Sequence, residues 1–182
     1  MRVVSGNFKG LKLKAPKNNL TRPTENKVKE AIFDMLYPIN PQSTALDLFA
    51  GSGQIGIEFL SRGLKKVYLN DFDRASFRIL KENTYKFDKN TYMLTNKDFK
   101  KALKFYKDND ITFDYVYLDP PFNSDYYKIS IQLINDYELL NEDGIVITES
   151  DKKLNLEEKF KLFLIKEKVY GRKIVNIYQK WK

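Results

Sequence analysis

Between residues 45 and 149 the chain repeats one unit: a short apolar run, a tight loop, then a helix with an apolar stripe. Strands are predicted over 45–49, 66–70, 92–95, 113–118 and 144–149, with helices over 54–62, 73–87, 98–107 and 125–138. Short loops between alternating strands and helices require parallel strands, because each helix must carry the chain back across the sheet. Such a sheet is covered by helices on both faces. The pattern then breaks: 160–170 and 174–180 are strand-like runs around Gly171-Arg172-Lys173, which reads as an antiparallel hairpin. The expected body is therefore α/β with a mixed sheet.

Two segments precede it. Leu11, Leu13 and Ala15 alternate with Lys12, Lys14 and Pro16, a small β element over 2–15. Thr21-Arg22-Pro23-Thr24 leads into a helix whose apolar stripe is Val28, Ala31, Ile32, Met35 and Leu36. Thr24 is the candidate N-cap, and Pro38 and Pro41 stop the helix. A boundary near Pro23 divides a basic β element, 1–22, from the α/β body, 23–182.

Composition narrows the chemistry. The 182 residues include no cysteine and no histidine, which excludes disulfides, thiolate metal sites and imidazole catalysis. No metal is expected, and any catalysis rests on carboxylates, backbone groups and a cofactor. No apolar run approaches the roughly 20 residues that span a bilayer, and the N-terminus lacks a signal-like core. A cytoplasmic monomer is the plain expectation. The net charge of +8 is uneven: residues 1–30 carry +6, 152–182 carry +7 and 31–151 carry −5. Basic ends around an acidic centre suit a polyanion held at the ends, although lysine enrichment spread over every surface gives the same sum.

Four motifs carry chemistry. Leu46-Asp47-Leu48-Phe49-Ala50-Gly51-Ser52-Gly53 is a strand feeding a glycine turn. With Gly56 it matches the dinucleotide pattern G-x-G-x-x-G, and Asp71 lies 20 residues past Gly51. A pyrophosphate on the helix N-terminus, or the amino-acid end of S-adenosylmethionine with its ammonium on Asp47, suits this turn equally. So does a tight turn with no ligand. Asp71, ending the second strand, can accept both hydroxyls of a ribose, while Asp73 reads as a helix cap. Asp98 can accept an adenine amine with Phe99 against the ring, or simply cap the next helix. Asp119-Pro120-Pro121-Phe122 closes the fourth strand. Prolines lack an N–H and fix φ, so this corner is stiff and its carbonyls are free to accept. Asp119 and the Pro120 carbonyl can both take hydrogen bonds from one exocyclic amine, and Phe122 can stack on the base.

At these residues the chain resembles a known family. Asp119-Pro120-Pro121-Phe122 resembles the signature of enzymes that methylate amines of adenine, cytosine or guanine. Arg2-Val3-Val4-Ser5-Gly6, Thr21-Arg22-Pro23-Thr24 with Val28-Lys29-Glu30-Ala31, and the glycine turn resemble the RsmD family in order and spacing. The resemblance implies a class I methyltransferase fold, a seven-stranded mixed sheet with an antiparallel C-terminal hairpin. It implies S-adenosylmethionine as cofactor and N2 of one guanine in 16S rRNA as target, free or in the small ribosomal subunit. Asp47, Phe49, Gly51, Gly53, Asp71, Asp98 and Phe99 would surround the cofactor, and Asp119, Pro120, Pro121 and Phe122 the target amine. Arg22 and Thr24 would lie near the active site, with Arg2, Lys9 and Lys12 holding RNA. One departure is Gln54-Ile55-Gly56-Ile57, where small residues are expected. Alternatives are an adenine-N6 methyltransferase acting on DNA or RNA, an NAD-dependent oxidoreductase, and a catalytically silent RNA-binding module.

Overall fold

The computed structural model describes residues 1–15, 26–121, 124–154, 156 and 162–180. Arg22, Thr24, Phe122 and the boundary at Pro23 lie outside the described residues. Among the described residues seven strands form one sheet: β1 (Thr44–Asp47), β2 (Lys66–Asn70), β3 (Tyr92–Thr95), β4 (Phe113–Leu118), β5 (Leu140–Ser150), β6 (Leu162–Tyr170) and β7 (Lys173–Lys180). Their order is β3-β2-β1-β4-β5-β7-β6. The first five are parallel; β7 runs antiparallel to β5, and β6 to β7. The sheet is mixed and ends in the expected hairpin.

Among the described residues five α-helices cover it: α1 (Asn26–Met35), α2 (Gln54–Ser61), α3 (Arg74–Thr84), α4 (Phe99–Asp108) and α5 (Ser124–Asp136). Alternation along the strands sorts residues between two buried clusters. Ala45, Val67, Leu69, Tyr115 and Tyr117 pack with Val28 and Ile32 of α1, Ile57 and Phe59 of α2 and Leu80 of α3. Leu46, Val116 and Leu118 face Leu103 and Tyr106 of α4 and Ile131 and Ile134 of α5. Among the described residues no helix is long and apolar enough to cross a membrane.

The N-terminal element is a bridge, Arg2 opposite Lys12, closed by a turn. It lies on α2 and α3: the Asn7 amide donates to the Ser61 carbonyl at 2.7 Å, and Val3 and Leu13 join the first cluster. The expected stripe of α1 is buried, and so are two residues outside it, Phe33 and Lys29. Strand β5 begins at Leu140, four residues before the expected 144, because Leu140 pairs with Phe113 ahead of a register shift. The polar Asn141, Glu142 and Asp143 hide that start from an apolar-run reading.

Candidate functional site

Strands β1 and β4 are neighbours although distant in sequence, and the crossovers on their two sides put helices on opposite faces. Such a reversal of strand order opens a crevice at the carboxyl edge of the sheet. Four acids stand along that edge: Asp47 ends β1, Asp71 follows β2, Asp98 lies beyond β3 and Asp119 follows β4.

Asp47 is 1% exposed; its Oδ2 accepts from the Gly56 amide at 2.9 Å, while Oδ1 has no partner among the described residues. Burial pushes its pKa up to about 7 against the Gly56 hydrogen bond, and Asp71 and Asp119 add repulsion. The turn after it needs glycine twice, with φ of +55° at Gly51 and +87° at Gly53. Gly56 has a different task. A Cβ there would stand 2.3 Å from Leu69 Cδ2, so its smallness lets α2 lie against β2. Gln54, Ile55 and Ile57 around it are simply buried, which accommodates the departure from small residues.

Asp71 latches two loops: Oδ2 accepts from the Gly51 amide at 2.7 Å and Oδ1 from the Asp73 amide at 2.8 Å. Burial raises its pKa against these two hydrogen bonds. Asp73 caps α3 through the Ser76 amide, and Asp98 caps α4 through the Lys100 amide. Phe49 stands 5.5 Å from Phe99, centroid to centroid, and Tyr126 of α5 lies 5.0 Å from Phe99. Phe49 just past β1, Phe99 at the start of α4 and Tyr126 of α5 thus form one cluster of three rings.

Asp119 is half-buried, and its carboxylate accepts no hydrogen bond among the described residues. Burial pushes its pKa up to about 6, and Lys173 of β7 draws it down. Lys173 is itself ion-paired with the buried Glu149, which also accepts from the Tyr117 hydroxyl at 2.7 Å. Pro120 is buried and Pro121 exposed. Arg2, Lys9 and Lys12 are exposed on the N-terminal element rather than at the strand edge. Arg2 and Lys12 face each other directly, an arrangement that costs stability unless an anion sits over it.

Sequence reasoning missed three residues. Asn70, 1% exposed, donates to the Leu48 carbonyl at 3.1 Å and the Lys97 carbonyl at 3.0 Å, and accepts from Thr95 Oγ1 at 2.8 Å. It ties three strand-end loops together; a lone asparagine closing an apolar strand was the available signal. Phe72, beside Asp71, leaves 72% of its surface in water. Lys173 lowers the pKa of Asp119 electrostatically, from a hairpin that no local pattern connects to it.

The family described as Conserved hypothetical protein 95 matches residues 1–179. The Ribosomal RNA small subunit methyltransferase D of Haemophilus influenzae is 34% identical over 183 residues, covering 98% of this chain and 93% of its own length. The chain belongs to the RsmD family. YlbH of Bacillus subtilis is 39% identical over 183 residues, 99% of both chains. The solved structure of yhhF from Escherichia coli superposes with a TM-score of 0.85 at 27% identity, covering 100% of this chain and 98% of that one. SMU.776, solved with S-adenosylhomocysteine, is 17% identical at a TM-score of 0.66 over 83% of this chain and 49% of its own, and shows the fold alone. In an RsmD-family chain the dinucleotide reading of Gly51, Gly53 and Gly56 lapses, and Gly56 keeps its packing role.

Proposed function

We propose that this protein transfers a methyl group from S-adenosylmethionine to the exocyclic N2 of a guanine in 16S rRNA. One observation carries the reading: β1 and β4 are adjacent parallel strands in which Asp47 stands opposite Tyr117, two residues before Asp119, and the Leu48 amide donates to the Tyr117 carbonyl at 3.2 Å. The amine-holding corner and the cofactor turn therefore share one crevice. The kinship with a named small-subunit rRNA methyltransferase supports RNA as substrate.

The residues present fit the cofactor. Asp47 has an acceptor oxygen without a partner in a cluster of carboxylates, a setting that favours a cation. In this reading Asp47 holds the ammonium, Asp71 the ribose, and Asp98 and Phe99 the adenine, with Gly51, Gly53 and Phe49 shaping the pocket. The exposed Phe72, next to Asp71, offers a second face for the adenine ring. When bound, S-adenosylmethionine supplies a methyl carbon on a sulfonium, a leaving group good enough to need neither imidazole nor thiolate.

The chain's own groups handle the amine. Its lone pair is delocalised into the purine ring and nucleophilicity is low. Asp119 and the Pro120 carbonyl accept its two hydrogens, hold them out of the ring plane and free the lone pair. With its pKa near 6, Asp119 is ionised at neutral pH and positioned to take the proton that the amine loses. Phe122 stacks on the base, and Arg22, Thr24, Arg2, Lys9 and Lys12 hold the RNA around it.

The test is mass spectrometry of 16S rRNA from cells lacking the protein, followed by repair with purified protein and labelled cofactor. One missing N2-methylguanine, restored in vitro on rRNA or small subunits, is the expected result. An unchanged guanine pattern, or methyl transfer to adenine, would refute it.

Cofactor binding should also release a proton. A native pKa near 7, above the ordinary 3.8, leaves Asp47 largely protonated at pH 6.5. An ammonium seated on it favours the ionised form. Affinity for S-adenosylmethionine should therefore rise with pH and level off above about 7. The same shift makes the native state bind more protons than the unfolded chain between the two pKa values, so Asp47 lowers stability as pH rises through that window. Calorimetric titration in two buffers of different ionisation enthalpy measures the proton; equal apparent enthalpies in both would remove Asp47 from the ammonium site.

A further inference from the structure

We propose that the outer face of α3, with Lys14 beside it, is a second docking surface for an unpaired stretch of the substrate RNA. This rests on the reading that RNA is the substrate. Arg74, Arg78, Lys81 and Tyr85 lie four, three and four residues apart, which places them in one helical stripe, and all four are exposed. A groove lined by Lys14, Arg78, Lys81, Glu82 and Tyr85 runs beside that stripe. Glu82 is engaged by Lys14 at 2.7 Å, so three cations less one acid leave a surplus of two positive charges in the groove. Tyr85 is 69% exposed at its end. An exposed aromatic ring among cations is the combination that holds single-stranded nucleic acid: phosphates on the charges, a base on the ring.

General lysine enrichment does not account for the stripe. The chain has six arginines against 26 lysines, and two of the six stand on this face. Arginine matches phosphate with a planar fork, where lysine offers a point charge.

The groove is also fixed relative to the crevice. Asn83, 6% exposed, accepts from the Lys14 amide at 2.8 Å and donates to the Lys14 carbonyl at 3.0 Å. It donates again, at 2.9 Å, to the carbonyl of Ser52 in the glycine turn. Lys12, two residues before Lys14 and exposed like it, faces Arg2 across the bridge. Exposed cations thus stand at Arg2 and Lys12 on the bridge and at Lys14, Arg78 and Lys81 on the groove, and Asn83 ties Lys14 to the glycine turn.

The test compares the full-length protein with Arg78→Gln/Lys81→Gln, Tyr85→Ala and Tyr85→Phe. Lys101→Gln/Lys104→Gln/Asp108→Asn removes two exposed lysines of α4, with the acid that pairs Lys104, as a control. The probe is transcribed 16S rRNA, read by filter binding over a salt series and by methyl-transfer kinetics. Arg78→Gln/Lys81→Gln should raise Kd and KM about tenfold, leave kcat within about twofold and flatten the salt slope by roughly 1.5. Tyr85→Ala should raise KM about tenfold while Tyr85→Phe matches wild type, and S-adenosylhomocysteine affinity should not move. Wild-type RNA affinity in Arg78→Gln/Lys81→Gln, or an equal loss in the α4 control, would overturn the proposal. Failure of the wild-type protein to methylate rRNA would instead defeat the functional reading, while the binding comparison still decides the surface.

Discussion

Asp119→Ala is expected to lower kcat for methyl transfer by roughly 10³-fold while leaving S-adenosylhomocysteine affinity within about threefold of wild type. The asymmetry follows from the surroundings. Asp119 accepts no hydrogen bond among the described residues, so its removal disturbs no scaffold contact, whereas Asp71 holds two backbone amides. The Pro120 carbonyl survives the substitution, but one acceptor cannot hold both hydrogens of an amine out of the ring plane. Asp119→Asn keeps an acceptor oxygen and places a donor where the second one was. A loss of about 10²-fold, intermediate between the two, is expected. On the proposed role transfer needs the ionised carboxylate, so kcat should fall as pH drops through about 6. Lys173 opposes the burial that raises this pKa; without it the inflection should move upward. Labelled-methyl kinetics and calorimetry on the same preparations give both quantities. An Asp119→Ala enzyme within tenfold of wild type would place the reacting amine elsewhere.

How much of this was readable in advance depended on whether a residue's role was local. Strands β2, β3 and β4 begin and end where the apolar runs do, because sharp loops and acids punctuate them. Asp73 caps α3 as its spacing predicts. The carboxyl-edge acids were legible because a parallel sheet delivers the ends of β1, β2 and β4 to one edge whatever the details. The unreadable features were tertiary. Asn70 looked like the last residue of a strand, yet its amide bridges loops contributed by β1 and β3. Asp71 reads as a ribose acceptor or a solvated loop acid, and its backbone latch to Gly51 was invisible without the fold. Lys173 acts on a corner more than fifty residues earlier in the chain, across the β5–β7 pairing. Lys29 lies outside the apolar stripe of α1, and nothing local marks it as buried, because lysine is rarely buried unless paired. Its partner lies on another helix.

That pair sets the other large effect. Glu58→Ala should destabilise the protein by about 3–5 kcal/mol, the usual result of stranding a buried charge. Lys29 and Glu58 are both 0% exposed, with Lys29 Nζ 3.4 Å from Glu58 Oε1 and 2.6 Å from the Arg2 carbonyl. Glu58 also accepts from the Val4 amide at 2.7 Å and pairs with Arg62, whose guanidinium lies 3.9 Å over the Phe33 ring. Burial already pulls the Lys29 pKa down, with Glu58 the main opposing influence. In the alanine variant Lys29 must either stay charged in a dry core or give up its proton, and both are costly. Replacing both partners by apolar groups of similar size, Lys29→Met/Glu58→Leu, removes the stranded charge and should recover most of the stability. It does not restore the acceptor for Val4, so the N-terminal element should remain loosely docked on α2. Urea unfolding then separates the two consequences: the single variant loses stability and RNA affinity together, while the double variant regains stability and still binds RNA weakly. If the double variant were as unstable as the single one, the stranded charge would not be the cause. The hydrogen bond from the N-terminal element to Glu58 would then be what holds this part of the core.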